Sequence, residues 1–312
     1  MSDKLKSQFY SRTASVIISH KRICIFVAHL ETYTIEDSLI FYLHELLKIC
    51  DGIIFVADNP ISDAELAKLK PYVVFARFIK HNKYDFGSYS IGLDLLKSSP
   101  YFEQINEIIF ANDSVIGPYK PLDKVISKKH ALGNPAIFGL TKNYYGHKFD
   151  ESGNIVPAWV THIQSYFFIV RAEIFKQNYF LDFFQNVKEE SSKIKIIVKY
   201  EIGLSQLIKK HGHELVSYFD VKSTEDPTST YIENHKKMFF IKKRQIGRQH
   251  IYKANKILRA YNYPYQVVNG KVKTITPKDK LIIDSYLIFE LYRIIRKYII
   301  IPLLQAYSKD KQ

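Results

Sequence analysis

Ile108-Ile109-Phe110-Ala111-Asn112-Asp113-Ser114-Val115-Ile116-Gly117-Pro118 is the stretch whose reading decides the fold of this chain. An apolar, β-prone run stops abruptly at Asn-Asp-Ser and turns at Gly-Pro, which is the pattern of a buried strand bounded by turn residues. Such a strand delivers one carboxylate, Asp113, to its carboxyl end. In open α/β sheets that edge is where ligands bind. A lone acid there, between Asn112 and Ser114, suits a metal–diphosphate group or a sugar hydroxyl. It suits equally a strand-end turn capped by Asn and Asp. At this point both readings stand.

Three further apolar runs precede it: Ile23 to Ala28, Ile53 to Val56 and Val73 to Arg77. Between them lie helical patterns. Leu39, Leu43, Leu46 and Leu47 share one side of the segment from Ile35 to Cys50. Ser62 to Leu69 has Ser62 as its N-cap and Glu65 three residues on. Ser88 to Ser98 reads as helical. Strands that alternate with helices in this way predict an α/β fold, a mostly parallel sheet flanked by helices. After Pro118 the pattern loosens. Ala136 to Leu140 and Ile163 to Val170 read as strands, and Asn143 to Pro157 as a polar loop over the sheet edge. Ala172 to Val187 and Tyr200 to His211 read as helices. Lys222 to Thr230 is a polar, proline-containing break. It divides a domain over 1–221 from a basic, largely helical region over 222–312.

Composition bounds the partners. The chain has 312 residues, 46% of them hydrophobic, with 23 Tyr, 21 Phe and a formal net charge of +14. Its two cysteines, Cys24 and Cys50, sit in apolar runs, which predicts buried free thiols and a reducing compartment. The segment from Met1 to Tyr10 is polar and has no apolar leader core, which predicts a cytoplasmic protein. Between Asn234 and Lys278 there are twelve Lys and Arg and no Asp or Glu, so this stretch carries +12 of the +14. A block of that kind favours an anionic partner: nucleic acid, a phospholipid surface or a phosphorylated substrate. Asn234 to Ala260 is expected to be helical. In Lys280 to Tyr307, a run rich in Leu, Ile and Tyr, the charges Glu290, Arg293 and Lys297 share one helical face. They break the run too often for a bilayer-spanning helix, and Pro302 kinks or ends it. A basic amphipathic helix of this type lies in a membrane interface, or else packs on the protein's own core or in an oligomer contact.

Several segments hold residues with chemical potential. His29 follows the first strand at the ligand edge, where a plain loop histidine would also sit. In Lys83-Tyr84-Asp85-Phe86-Gly87-Ser88, Asp85 can accept from a base or ribose, Tyr84 can stack, and Gly87 permits close backbone approach. Helix capping explains Asp85 and Ser88 equally well. In Thr161-His162-Ile163-Gln164-Ser165-Tyr166-Phe167, polar groups enter a buried strand and need partners, either a ligand or a local network. His162 is a candidate for a metal or a phosphate. Glu201 opens a helix, as a first-turn acid or as a general base aimed into a cleft. There is no Gly-x-Gly-x-x-Gly, phosphate-loop Gly-Lys-Ser, His-Glu-x-x-His or Gly-x-Ser-x-Gly, which counts against dinucleotide redox chemistry, common NTP hydrolysis, zinc proteolysis and serine hydrolysis.

Taken in order, Tyr84-Asp85-Phe86-Gly87-Ser88-Tyr89 with Gly92-Leu93, Asn112-Asp113-Ser114-Val115 with Gly117-Pro118, Phe138-Gly139-Leu140-Thr141, His162 to Phe167, and Tyr200-Glu201-Ile202-Gly203-Leu204-Ser205 resemble the rhamnan synthesis protein F family. The motifs span roughly Ile23 to Tyr218. The resemblance implies a bacterial glycosyltransferase with a GT-A-like, Rossmann-type sheet and a nucleotide-sugar donor, with dTDP-rhamnose as the family-level choice. The acceptor it implies is a growing surface polysaccharide of the lipopolysaccharide or capsule kind, and a lipid-linked acceptor would explain the basic C-terminal region.

The implied roles can be assigned residue by residue. Glu201 is the candidate base and Asp113 the donor-binding carboxylate. His29, Lys83, Tyr84, Asp85, Gly87, Asn112 and Ser114 would line the donor, and His162, Gln164, Ser165 and Tyr166 the sugar or acceptor pocket. Asn112-Asp113-Ser114 stands where GT-A enzymes usually place Asp-x-Asp, and only one carboxylate remains. Either Asp113 holds Mg²⁺ or Mn²⁺ with help from water and His162, or cationic side chains (Lys83 or the basic block) replace the metal. Tyr89 departs from the Trp expected in many relatives. The expected location is the cytoplasmic face of the membrane, held peripherally. A nucleic-acid-binding protein that uses the basic region is the alternative from another class, and an inactive glycosyltransferase-like scaffold is the third.

Overall fold

Residues 7–11, 21–30, 32–222, 232, 234–246, 250–269 and 271–276 are described by the structure, a computed structural model of the chain. Strands β1 (Ser7–Ser11), β2 (Arg22–Ala28), β3 (Gly52–Ala57), β4 (Phe75–Ile79) and β5 (Glu107–Asn112) form the first half of a nine-stranded sheet. Helices α1 (Asp37–Leu47), α2 (Asp63–Leu69) and α3 (Tyr84–Lys97) connect β2 through β5. β2, β3 and β5 are buried along their whole length, as strands covered on both faces must be, and this is why they read as unbroken apolar runs. β2 pairs in parallel with β3 and β5, β3 in parallel with β4, and β1 closes the edge antiparallel to β4.

Successive residues of β2 enter opposite layers. Cys24 and Phe26 join Leu39, Tyr42 and Leu43 of α1, while Ile23, Ile25 and Val27 join Phe86, Tyr89 and Leu93 of α3. The α/β expectation is met, and Ser62 caps α2 by accepting the Glu65 backbone N–H at 3.3 Å. Cys24 and Cys50 are buried free thiols, and burial pushes Cys50 up to about 12.

Beyond β5 lie β6 (Val115–Ile116), α4 (Asp123–Ala131), β7 (Ile137–Phe149), β8 (Ile155–Ile163), β9 (Phe167–Arg171), α5 (Ala172–Phe175), α6 (Asn178–Gln185), α7 (Lys193–Ile196), α8 (Gly203–Lys210) and β10 (Leu215–Val221). β9 lies antiparallel between β5 and β7, β10 runs parallel to β7, and β8 folds back on β7. Several local expectations are corrected here. The supposed loop over Asn143 to Pro157 is mostly the arm of the β7–β8 hairpin, paired from Lys142↔Ile163 to Phe149↔Ile155. An arm that is half-buried on average needs no apolar run, so its composition resembles a loop. The single strand expected over Ile163 to Val170 is two strands. The chain reverses at Gln164-Ser165-Tyr166, where the Gln164 N–H bonds the Thr141 carbonyl at 3.1 Å. The helix expected over Ala172 to Val187 is split into α5 and α6.

The basic region is not one helix between Asn234 and Ala260. Met238, Phe239, Phe240 and Ile241 are buried, and Ile241–Lys242 form β11, antiparallel to β6. Helix α9 (Ile251–Ala260) and the hairpin β12 (Gln266–Val268) with β13 (Lys271–Lys273) come next. Ile251, Leu258, Val267 and Val272 belong to the same hydrophobic cluster as Phe26 and Leu43. The described residues after 222 therefore share a core with the sheet. The amphipathic segment from Lys280 to Tyr307 lies outside the described residues. Among the described residues no helix is long and apolar enough to cross a membrane.

At the amino ends of β2 and β5, Glu107 joins the Arg22 guanidinium (Nε to Oε2, 2.7 Å) to the buried Lys129 ammonium. A cavity of about 540 Å³ opens there between Arg22, His130 and Arg171. Its ionic side chains mostly satisfy one another. It lies on the sheet edge opposite to the one where open α/β sheets bind ligands.

Candidate functional site

β5 ends at Asn112, and the fully buried Asn112 side chain organises the turn beyond it. Its Oδ1 accepts the Ser114 N–H at 3.1 Å and the Ser114 hydroxyl at 2.6 Å. Its Nδ2 donates to Asp85 Oδ2 at 2.8 Å. Asn112 and Ser114 thus build the capped turn, and Asp113 is left at its apex. The two readings of the strand end describe different residues of the same motif.

Asp113 Oδ2 accepts the His29 backbone N–H at 3.3 Å and lies 3.9 Å from the Lys243 ammonium. Burial pushes its carboxyl above the usual range, and Lys243 opposes that shift. The His29 ring, more than half exposed, reaches sideways, with Nδ1 2.5 Å from Oδ2 of Asp58 at the end of β3. His81 follows β4, and its Nε2 lies 2.9 Å from the Ser88 hydroxyl.

The start of α3 sits beside this edge. Tyr84 adopts φ +53° with its ring exposed. The Lys83 N–H donates to His81 Nδ1 at 3.0 Å. Asp85 occupies the first turn, where the helix dipole favours an acid. Burial, reinforced by Asp113, nevertheless pushes Asp85 up to about 6, and Lys242 and Lys193 pull the other way. Gly87 is buried. A β-carbon there would lie 2.4 Å from Lys83 Cβ and 2.8 Å from His81 Nδ1. The close approach that Gly87 permits is to the protein's own loop.

Across the sheet edge, the Gln164-Ser165-Tyr166 turn meets Glu201. Glu201 stands in a π-helical turn, Ile197–Ile202, just before α8 and not at a helix start as expected. Such turns often mark functional sites. Glu201 Oε2 accepts the Ser165 N–H at 2.8 Å and the Ser165 hydroxyl at 2.5 Å. Glu201 Oε1 lies 3.9 Å from His162 Nε2, and His162 Nδ1 lies 2.9 Å from the Val160 carbonyl. Gln164 Oε1 accepts the Thr141 hydroxyl at 2.8 Å, and the Tyr89 hydroxyl donates to the Ser165 carbonyl at 2.8 Å. The polar entry into a buried strand is thus met by a local network. Tyr166 is fully buried, and the Lys242 ammonium stands 4.0 Å from its ring centroid. Burial pushes Lys242 down to about 8, against the pull of Glu201 and Asp85.

The structure brings Asp85, Asn112, Ser114, Asp113 and the His29 backbone together on one side, and His162, Ser165 and Glu201 on the other. Lys242 interacts electrostatically with both groups. His162 lies on the Glu201 side, with Nε2 3.9 Å from Glu201 Oε1. Among the described residues no group of three or more His, Cys, Asp or Glu could hold a metal ion. The one carboxylate at the apex already faces a lysine ammonium, so this donor set does not fit a resident divalent cation. Asp58, His81, Lys242 and Lys243 were missed by motif reading. Asp58 could have been found by the argument applied to His29, since Ala57-Asp58-Asn59-Pro60 also ends a buried strand. Chemically, the edge offers a carboxylate for hydroxyl groups, two ammonium groups for an anion, and a separately anchored carboxylate that can take a proton.

The sequence family described as rhamnan synthesis protein F matches residues 53–304. No curated protein matches the chain. Among solved structures, the 4-diphosphocytidyl-2C-methyl-D-erythritol synthase of Anaerococcus prevotii is 13% identical and covers 70% of this chain and 100% of its own, with a TM-score of 0.40. A protein of Desulfovibrio desulfuricans described as a nucleotide-diphospho-sugar transferase is 10% identical over 77% of this chain and 98% of its own, with a TM-score of 0.38. Core-mannan synthase A of Aspergillus fumigatus, in its Mn/GDP form, is 11% identical over 65% of this chain and 73% of its own, with a TM-score of 0.37.

Proposed function

Because the chain belongs to the rhamnan synthesis protein F family and is a glycosyltransferase of the nucleotide-sugar kind, we propose that it transfers rhamnose or a related sugar from a nucleoside-diphosphate donor, dTDP-rhamnose being the first choice. The acceptor is a growing, lipid-linked bacterial surface polysaccharide of the lipopolysaccharide or capsule kind. The observation that carries this reading is the strand end itself. Asn112 and Ser114 close the turn, so Asp113 is presented singly at the ligand edge, with Asp85 beside it. His29, Lys83 and the exposed Tyr84 ring lie around that edge and would contact the nucleotide.

In the reaction the acceptor hydroxyl attacks the anomeric carbon, a new C–O bond forms, and the bond to the diphosphate breaks. The nucleoside diphosphate leaves with the electron pair. Glu201 takes the hydroxyl proton, held for that task by the two Ser165 bonds. His162, Gln164, Ser165 and Tyr166 would shape the sugar or acceptor pocket, Gln164 and Tyr166 mainly by supporting it from within the core.

A thermal-shift panel of dTDP-, UDP-, GDP- and CDP-sugars is expected to give one donor class that raises the melting temperature by several degrees at saturation. A flat response to the whole panel would discard the donor reading. The acceptor's lipid anchor is proposed to bring the protein to the cytoplasmic face of the membrane. Lys253, Lys256, Arg259, Lys271 and Lys273 are exposed on α9 and β13, and they suit an anionic surface at about 1 kcal/mol per charge. The full chain is therefore expected to float with vesicles rich in anionic phospholipid and to stay behind with neutral ones. A chain that floats with neither would remove the membrane from the proposal, and equal flotation with both would remove the exposed lysines and arginine as its cause.

A further inference from the structure

β11 is zipped to the segment that carries the candidate donor carboxylate. Ile241 pairs with Ile116 and Lys242 with Val115, and the Lys243 N–H donates to the Ser114 carbonyl at 2.9 Å. Phe239, Phe240 and Ile241, all but fully buried, pin this strand to the core. Alternation along a strand then turns Lys242 away from the side that Ile241 buries. The outcome is two adjacent lysines seated at one strand end. The Lys243 ammonium lies 3.9 Å from Asp113 Oδ2 and is partly open to solvent. The Lys242 ammonium stands over the Tyr166 ring and feels both Asp85 and Glu201.

Enzymes with two carboxylates at such a strand end bind a divalent ion that bridges carboxylate and diphosphate. Here the second carboxylate position is Asn112, whose amide is spent on Asp85 and Ser114. An ion placed on Asp113 would also stand beside the like charge of Lys243. We propose that Lys242 and Lys243 take the place of the divalent cation, binding the donor diphosphate and neutralising the charge it gains when the glycosidic C–O bond breaks. Fixed ammonium groups aimed at developing negative charge stabilise a transition state as a metal ion does. This assignment rests on the donor reading above and deepens it.

The test is calorimetric titration of dTDP, UDP, GDP and CDP into the full chain, once in EDTA and once with Mn²⁺, for the wild type, Lys243→Ala, Lys242→Met and Lys242→Arg. The nucleotide that binds is expected to bind equally well, within about twofold, in both buffers. Lys243→Ala and Lys242→Met are expected to weaken it by about tenfold or more, and Lys242→Arg to retain most of the affinity. Lys243 is at the surface, so its variant keeps the fold even if Lys242→Met does not. Binding that appears only with Mn²⁺, or lysine variants that bind as the wild type does, would overturn the assignment and leave the donor reading standing. A wild type that binds no nucleotide in either buffer would remove both.

Discussion

Glu201→Gln is expected to lower kcat by roughly 10²- to 10⁴-fold, the range for loss of a positioned general base, while nucleotide affinity stays within about twofold. Glutamine keeps the size of the side chain and can still accept from the Ser165 N–H and hydroxyl, which reach a single oxygen, Oε2. What it loses is the ability to take a proton. The opposite face of the group, Oε1, looks toward His162 at 3.9 Å and forms no short bond there, so an acceptor hydroxyl has an oxygen to approach. Steady-state kinetics with the donor found by the thermal-shift panel, together with nucleotide titration of the same variant, separates chemistry from binding. Turnover close to that of the wild type would take Glu201 out of the base role. Equal loss of binding and turnover would make it a structural anchor of the Ser165 turn.

Phe240→Ala is expected to lower the unfolding free energy by about 3–5 kcal/mol, the usual range for removing a buried aromatic ring. Its ring is fully buried. It contacts Tyr42 of α1 at a centroid distance of 5.0 Å, and Tyr166 of the turn before β9 and Phe167 of β9 at 6.2 Å each. The residue lies beyond the boundary drawn at Lys222, so the measurement also tests whether that boundary separates two cores. Denaturant unfolding followed by a probe in the sheet should show a single transition with its midpoint moved down. A loss below about 1 kcal/mol would mean that the segment does not pack as described. A first transition that stays at the wild-type midpoint would mean that two cores unfold independently on either side of that boundary.

The sheet centre was legible because β2, β3 and β5 are buried on both faces, which leaves an apolar run with sharp ends. The candidate residues were legible where a motif sits at the end of such a strand, as with Asn112-Asp113-Ser114. The β7–β8 arm was not, because its Tyr, Gly, Lys and His residues average to the composition of a loop, and only the pairing reveals a strand. The break at Gln164-Ser165-Tyr166 was hidden for a related reason. Its Ile163 and Phe167 flanks are as apolar as a continuous strand, and the turn is made by a backbone bond to Thr141. Lys242 and Lys243 were counted within a basic block of twelve. Net charge describes a surface; it does not distinguish a lysine facing solvent from one over the Tyr166 ring. The nearby Met238-Phe239-Phe240-Ile241 run was the available signal, since four apolar residues interrupting a basic tract mark a point where the chain returns to the core.

The contact between β6 and β11 also bears on when the site exists at all. The Tyr119 hydroxyl bonds the His235 carbonyl 116 residues away, and the Tyr263 hydroxyl reaches the Gly117 carbonyl 146 residues away. Contacts of such sequence separation form late, because a long loop must close before any of them repays the entropy of closure. Ribosomal synthesis would therefore deliver the strand that carries Asp113 well before its two lysines arrive. The ladder that seats them is two residues long in each strand, and its outer end at Lys243 can fray while Phe240 stays buried. Amide exchange at Lys243 should accordingly be faster than at Phe110, and slowed by the bound nucleotide. Donor affinity would then be set as much by how often this clasp is shut as by what it touches when closed.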